Sequence, residues 1–236
     1  MQFYRRWQPV AAISFDLDDT LYDNGHAIAR AEQWMLSHLR SEYLATAMLD
    51  KPRWLALKRD LLLAHPELRH DVSLARQHGI REALVQGGMA TTQAEQEAER
   101  VFAAFLAERS KIEVSGATHA LLARLAERYP LVVITNGNLD LAQAGLSDYF
   151  TLVCKAGMGA RMKPAPDMFL QAQAALKLPP DRILHVGDHP ETDVLGARLH
   201  GFRAAWLNEH AAPWSSLQQL PDVELSHLSE LAELLL

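Results

Sequence analysis

The sequence predicts an α/β protein in which a parallel sheet carries an inserted helical domain. Short apolar runs alternate with helical patterns over most of the chain, polar residues follow the ends of several runs, and a long helix-forming stretch interrupts the alternation after the first run. The 236 residues correspond to about 1.6 domains of average size. We therefore expect a core domain formed by residues 1–22 and 111–236, and a second domain formed by residues 23–110.

The first apolar run covers residues 10–15 and leaves no room for polar alternation. That pattern is typical of a parallel strand that is buried on both faces. Further apolar runs cover residues 131–135, 151–154, 182–186 and 203–207, and helical patterns over 117–128, 167–176 and 191–200 separate most of them. In open parallel sheets, ligands bind beyond the carboxyl ends of the strands. The residues that follow each run are therefore the candidates for a functional site.

The stretch from about residue 24 to residue 110 has no strand-like run and is rich in helix formers. It predicts helices over residues 27–48, 53–64, 72–86 and 92–108. Pro52, Pro66 and the glycine pair at 87 and 88 separate these helices because proline and glycine interrupt helical structure. The threonine pair at 91 and 92, ahead of Glu95, predicts a capping box at the start of the fourth helix.

Composition excludes several classes of protein. Hydrophobic residues make up 49% of the chain and charged residues 22%, which is typical of a globular protein and not of a disordered, collagen-like or disulfide-rich one. With 23 basic and 29 acidic residues the formal charge is −6, so we expect neither a nucleic acid nor an anionic membrane as partner. Cys154 is the single cysteine, and no export signal or membrane-spanning run is visible. We therefore expect a cytoplasmic protein, and the sequence makes no prediction of its oligomeric state.

An acidic pair follows the first predicted strand. In an extended chain the side chains of Asp16 and Asp18 point to the same side, toward one reaction centre. Taken alone, Asp-x-Asp is also typical of a solvated turn. Its position favours a functional interpretation, because other reactive groups follow neighbouring runs or lie in the loops between them: Thr135, Lys163, Asp188 and Asp193.

Together these residues resemble the motif set of the haloacid dehalogenase-like hydrolase superfamily. The matching segments are Asp16-Leu17-Asp18-Asp19-Thr20, Thr135-Asn136, Lys163-Pro164 and Gly187-Asp188 with Asp193 five positions later. The resemblance covers nearly the whole chain, since the helical insertion lies where members with the first type of cap carry theirs. It implies a Rossmann-like α/β core domain, an inserted α-helical cap domain and hydrolysis of a phosphate ester.

The resemblance also implies a role for each acid. Asp16 would be the nucleophile that forms an aspartyl phosphate, and Asp18 the general acid that protonates the leaving alkoxide and then activates water. The implied cofactor is Mg²⁺, which prefers oxygen ligands. The Asp16 carboxylate, the Asp18 backbone carbonyl and Asp188 would hold it, and Asp193 would orient these ligands or reach the metal through water.

The remaining motifs would bind the phosphoryl group. Thr135 and the backbone N–H of Asn136 offer hydrogen-bond donors to a phosphoryl oxygen, and Lys163 supplies positive charge. His189, which follows Asp188, is a departure from many relatives. Either it adds a contact near the metal or, as we favour, its side chain points elsewhere.

Two alternative functions use a similar set of residues. A 2-haloacid dehalogenase expels halide, which needs no proton, and such relatives typically lack the second acid and the metal, so Asp18 favours phosphate ester hydrolysis. A phospho-accepting receiver would need an aspartate after a middle strand, where this chain has Thr135, and it carries no helical insertion. The intact acid pair also argues against a noncatalytic binding protein with this fold.

The finer expectation concerns the substrate. The segment from Asp16 to Asn24 and the loops after residues 134 and 186 look most like bacterial enzymes that dephosphorylate flavin mononucleotide and the riboflavin precursor 5-amino-6-(5-phospho-D-ribitylamino)uracil. A small phosphorylated metabolite is therefore the expected partner, with a place in riboflavin biosynthesis. Tyr22 and Asn24, which enter the cap, are candidate substrate contacts.

Overall fold

The computed structural model describes residues 1–211 and 219–236. Within them the chain divides into two compact units: the first comprises Met1–Asp23, Glu113–Gly137 and Leu141–Leu236, and the second comprises Asn24–Ile112 and Asn138–Asp140. The first unit contains the sheet, and the second contains the helices of the insertion. The division into two independent domains, with boundaries after residues 22 and 110, stays a prediction.

The first unit is built on a single sheet of seven strands in the order β1-β7-β6-β5-β2-β3-β4. In chain order these are β1 (Gln2–Phe3), β2 (Ala12–Phe15), β3 (Leu131–Thr135), β4 (Leu152–Lys155), β5 (Ile183–Gly187), β6 (Arg203–Leu207) and β7 (Val223–Leu225). All neighbours pair in parallel except β1 with β7. The predicted α/β class with a parallel sheet is confirmed, and β1 and β7 are additions to it.

The α-helices of the described residues fall into two groups. Those of the second unit are α1 (Asn24–Glu42), α2 (Lys51–Ala64), α3 (Val72–Gln86) and α4 (Thr91–Arg109), and those of the first unit are α5 (Gly116–Ala126), α6 (Asp167–Leu176), α7 (Gly196–Leu199) and α8 (Glu230–Leu235). No helix in this part of the chain is both long and apolar enough to cross a membrane.

Strand register brings the ends of the central strands to one edge of the sheet. Every residue of β2, β3 and β5 is buried, as the unbroken apolar runs predict. Phe15 at the end of β2 lies opposite Val133 of β3 and Val186 of β5. Asp16, which directly follows β2, therefore lies near the carboxyl ends of β3 and β5.

The predicted helix over 191–200 has a different form. A π-helical turn covers Pro190–Leu195, and only the short helix α7 follows it. The N–H groups of Asp193 and Val194 both donate to the carbonyl of His189, at 3.0 and 3.3 Å. Asp193 lies within this wider turn, and π-helical turns are frequent at functional sites.

The second unit has its own apolar core, in which Trp54 and Phe105 are fully buried. The helix predicted over 27–48 ends earlier, at Glu42, and a 3₁₀ turn follows it. The predicted capping box is wrong: Ala90 precedes α4, and no side chain closes its N-terminus. Asp50 and Asp71 do close the N-termini of α2 and α3, because their carboxylates accept backbone N–H groups there.

Gly87 packs closely against the backbone of Ala45 in the second unit. A Cβ atom at Gly87 would lie 2.0 Å from the carbonyl oxygen of Ala45. We expect Gly87→Ala to lower the free energy of unfolding by about 1–3 kcal/mol, because backbone atoms must move to accommodate the methyl group. Denaturant unfolding measures this change. The control is Gly116→Ala, where a Cβ would meet nothing within 4 Å, and equal unfolding midpoints for the two variants would contradict the expectation.

Candidate active site

The loop after β2 carries the acidic pair. The N–H of Asp16 donates to the carbonyl of Val186 at 2.9 Å, which fixes the start of the loop against β5. The chain then turns sharply, because Asp19 adopts a left-handed conformation with φ of 58° and its N–H donates to the carbonyl of Tyr22 at 2.9 Å. Aspartate is among the few residues other than glycine that tolerate this conformation. The sharp turn at Asp19 follows the acidic pair, and Asp18 lies close enough for its charge to raise the pKa of Asp16.

Two neighbours restrict the side chain of Asp18. The hydroxyl of Tyr22 donates a hydrogen bond to Asp18 Oδ1, and a Cβ atom at Gly137 would lie 2.6 Å from Asp18 Oδ2. Tyr22 is buried. Its contact with a substrate stays a prediction, as does that of Asn24, which begins α1 in the second unit.

Lys163 lies at the centre of the site and is only 3% exposed. Its ammonium group donates to Asp16 Oδ1 at 2.7 Å, to Asp193 Oδ1 at 2.6 Å and to the carbonyl of Ile134 at 2.7 Å. An ammonium group has three hydrogens, and these three acceptors can use all of them. Burial on its own would lower the pKa of Lys163, but the charges of Asp16 and Asp193 outweigh it and raise that pKa above its ordinary value. Lys163 is therefore a charged group held between two carboxylates.

The loop after β3 positions Lys163. The side chain of Asn136 makes two hydrogen bonds to the backbone of Lys163. The N–H of Lys163 donates to Asn136 Oδ1 at 2.7 Å, and Asn136 Nδ2 donates to the carbonyl of Lys163 at 3.2 Å. Thr135 Oγ1 accepts the N–H of Gly137 at 3.0 Å. These side chains shape the loop itself, and the binding of phosphate by Thr135, Asn136 and Lys163 stays a prediction.

Asp16, Asp188 and Asp193 form an acidic cluster. One carboxylate oxygen of each lies within 4.8 Å of the others. Burial raises the pKa of Asp16 to about 7, an effect that Lys163 opposes and Asp193 reinforces. Burial also raises the pKa of Asp188 to about 6, and the charge of Asp193 adds to the rise. A cation bound among these oxygens would relieve the repulsion, and an all-oxygen set with this spacing fits a hard divalent ion such as Mg²⁺.

Asp193 is held by protein donors at both oxygens. Its Oδ1 accepts from Lys163 and, at 3.2 Å, from His185 Nε2, while its Oδ2 accepts the N–H of His189 at 3.0 Å. Burial on its own would raise the pKa of Asp193, but Lys163 and His185 hold it below its ordinary range. A Cβ atom at Gly187 would lie 2.3 Å from Asp193 Cγ, so glycine is needed at that position for the carboxylate to take its place.

The sequence missed His185 and Ser14, which lie inside β5 and β2 and contact each other there. The signal for them is a polar residue in each of two otherwise apolar runs. His189 is exposed, and its Nδ1 accepts the N–H groups of Glu191 and Thr192 at 3.2 and 3.3 Å. Its ring thus caps the start of the π-helical turn, and its relation to a metal stays a prediction.

The chain is similar to known proteins over most of its length. The profile of haloacid dehalogenase-like hydrolases matches residues 10–201. The 5-amino-6-(5-phospho-D-ribitylamino)uracil phosphatase YigB of Escherichia coli (strain K12) is 38% identical over 239 residues, which covers all of both chains. The phosphoserine phosphatase of Thermus thermophilus is 36% identical over 161 residues, covering 66% of this chain and 63% of that protein.

Among solved structures, a 2-haloacid dehalogenase from Pseudomonas syringae pv. Tomato DC3000 superposes with a TM-score of 0.90 at 34% identity, covering 95% of this chain and 97% of the other. The family profile matches well over half of the present chain, and the YigB phosphatase matches it from end to end. The chain therefore belongs to the haloacid dehalogenase-like hydrolase family.

Proposed function

We propose that this protein is a Mg²⁺-dependent phosphomonoesterase that acts on a small phosphorylated metabolite through an aspartyl phosphate on Asp16. The observation that carries the proposal is the second acid, Asp18, whose carboxylate accepts the hydroxyl of Tyr22 and whose charge acts on Asp16. An alkoxide is a poor leaving group unless it is protonated as the bond breaks, so ester hydrolysis requires a positioned acid. A halide leaves without a proton and gives Asp18 no task.

The first half of the reaction transfers the phosphoryl group to the protein. A carboxylate oxygen of Asp16 attacks phosphorus, the bond from phosphorus to the ester oxygen breaks, and the departing oxygen takes the proton of Asp18. Lys163 compensates negative charge next to Asp16, while Thr135 and the N–H of Asn136 donate to phosphoryl oxygens. The carboxylates of Asp16 and Asp188 and the Asp18 carbonyl would hold Mg²⁺, which would neutralise charge on the phosphoryl oxygens.

The second half returns the protein to its starting state. Asp18, now a carboxylate, takes a proton from water as the water oxygen attacks phosphorus. The bond from phosphorus to Asp16 breaks, inorganic phosphate leaves, and Asp16 is again a carboxylate. Asp193 takes no part in bond making and keeps Lys163 and the loop of His189 in place.

The relative that matches over the whole chain supports a substrate class. It is a phosphatase of 5-amino-6-(5-phospho-D-ribitylamino)uracil, and we propose this compound or flavin mononucleotide, which carries the same phosphorylated ribityl chain, as the substrate. This assignment gives the protein a place in riboflavin biosynthesis.

A second candidate is a 2-haloacid dehalogenase, because the structure with a TM-score of 0.90 is described as one. Both reactions begin with attack by the same aspartate, so the two candidates share Asp16. They differ in the proton that the leaving group needs, and therefore in their dependence on Asp18.

We expect Asp18→Asn to lower kcat for an aryl or ribityl phosphate by about 10²–10⁴-fold, since an amide cannot deliver the proton. Steady-state kinetics of phosphate release measures the effect. The matched control is Asp19→Asn, one residue along the same loop, where asparagine keeps the left-handed conformation and activity should persist. Undiminished ester hydrolysis in Asp18→Asn would remove the acid–base role, and halide release at the wild-type rate by that variant would favour the dehalogenase.

A further inference from the structure

A buried polar pair crosses the centre of the sheet behind the acidic cluster. Ser14 of β2 and His185 of β5 lie opposite each other in the strand register, and Ser14 Oγ lies 2.9 Å from His185 Nδ1. Ser14 is 0% and His185 1% exposed. The reaction described above gives neither residue a task, although a buried polar pair in these strands is costly unless both partners are hydrogen-bonded.

The hydrogen bonds of this pair have a defined direction. The Asp193 carboxylate can only accept, so His185 Nε2 must carry the hydrogen that lies between them at 3.2 Å. Nδ1 of the same neutral ring is then an acceptor, and the Ser14 hydroxyl donates to it. The ring of Phe169 packs edge-on against His185, with centroids 5.4 Å apart and planes at 79°. The contact with Phe169 fixes the orientation of the His185 ring, and the two hydrogen bonds fix its tautomer.

This chain of contacts reaches the nucleophile. His185 and Lys163 both donate to Asp193 Oδ1, and Lys163 also donates to Asp16 Oδ1 at 2.7 Å. We propose that Ser14 and His185 are positioning residues: they fix Asp193 and, through Lys163, hold Asp16 in the orientation for attack. The proposal rests on the proposed function in taking Asp16 as the nucleophile, and it applies to attack on an ester or on a haloacid alike.

Three variants separate positioning from packing. His185→Leu removes the donor to Asp193, His185→Gln keeps an amide N–H near the place of Nε2, and Ser14→Ala removes the partner of Nδ1. We expect His185→Leu to lower kcat by about 10–100-fold with little change in KM, as is common when a hydrogen-bonding partner of a metal-site carboxylate is removed. His185→Gln should recover most of that loss, and Ser14→Ala should fall between wild type and His185→Leu.

The control is His119→Leu, since the His119 ring bonds Tyr149 at 3.0 Å and has no part in this chain of contacts; its kcat should equal that of wild type. Circular dichroism checks that each variant is folded. If His185→Leu fails to fold, the kcat of Ser14→Ala relative to that of wild type tests the proposal instead. A folded His185→Leu or Ser14→Ala variant with wild-type kcat, or a Gln variant no better than Leu, would overturn the proposal.

A readout independent of turnover separates this proposal from the proposed function. Nitrogen-15 NMR of the intact protein should show His185 as the Nε2–H tautomer, and Ser14→Ala should shift the Nδ1 resonance. Observation of the Nδ1–H tautomer would overturn the positioning role whether or not any ester is hydrolysed. Absence of ester hydrolysis by wild type, together with the Nε2–H tautomer, would instead remove the phosphatase assignment and support the hydrogen bond by which His185 positions Asp193.

Discussion

Asp16→Asn is expected to abolish hydrolysis of phosphomonoesters while the fold persists. Asparagine has nearly the same shape as aspartate, but its amide is not a nucleophile, so the first bond to phosphorus cannot form. Removal of a catalytic nucleophile typically costs on the order of 10⁴–10⁶-fold in kcat, a loss that places turnover at the background of the assay. Lys163 keeps Asp193 and the Ile134 carbonyl as acceptors, which supports retention of the fold.

The measurement is Mg²⁺-dependent release of phosphate from a generic aryl phosphate, with circular dichroism as the check on folding. Asp148→Asn serves as the control, because Asp148 is an exposed carboxylate bonded by Ser147 at 3.3 Å. Turnover by Asp16→Asn equal to that of wild type would contradict the nucleophile assignment. A variant that is inactive because it is unfolded would be recognised by its spectrum.

Lys163→Met is expected to give the largest loss of stability. It leaves Asp16 and Asp193 buried together without the positive charge between them, and removal of one partner from a buried ion pair costs about 3–5 kcal/mol in free energy of unfolding. The methionine fills the volume of the side-chain stem, so the change reports mainly the charge and not a cavity. Urea unfolding without added metal measures it, and Lys51→Met, at an exposed lysine, is the matched control.

The loss of stability caused by Lys163→Met should become smaller as pH falls. Lys163 opposes the rise in the pKa of Asp16 and holds the pKa of Asp193 below its ordinary range, so without it both folded-state pKa values rise and the two charged carboxylates destabilise the fold. Acidification protonates them in the folded state, and the gap in stability between wild type and variant should therefore narrow as pH falls. An unchanged unfolding midpoint, or a gap that widens on acidification, would contradict the account of Lys163.

Much of the sheet could be predicted because its central strands are buried on both faces. The runs that became β3 and β6, and the helical patterns that became α3 and α6, agree with the structure at both ends. The strands β1 and β7 have two and three residues, too few for any periodicity to show. The π-helical turn could not be predicted either, because it depends on hydrogen bonds from two N–H groups to the single carbonyl of His189.

The candidate site, too, could be predicted only in part. Polar residues at strand ends could be identified from the sequence, and the structure brings Asp16, Asp188 and Asp193 together, with Lys163 bonded to Asp16 and Asp193. Their assigned roles stay predictions. His185 lies inside an apolar strand, so its partners depend on strand register and on the direction in which Asp193 leaves the π-helical turn, neither of which is visible in the sequence.

The most direct test of the central claim is a panel of purified compounds offered to the wild-type protein. It contains flavin mononucleotide, 5-amino-6-(5-phospho-D-ribitylamino)uracil, other phosphorylated metabolites and 2-haloacids, each with Mg²⁺ and with a chelator. We expect release of phosphate that is greatest with a ribityl phosphate, that the chelator stops and that Mg²⁺ restores. Release of halide without release of phosphate, or phosphate release that the chelator leaves unchanged, would contradict it.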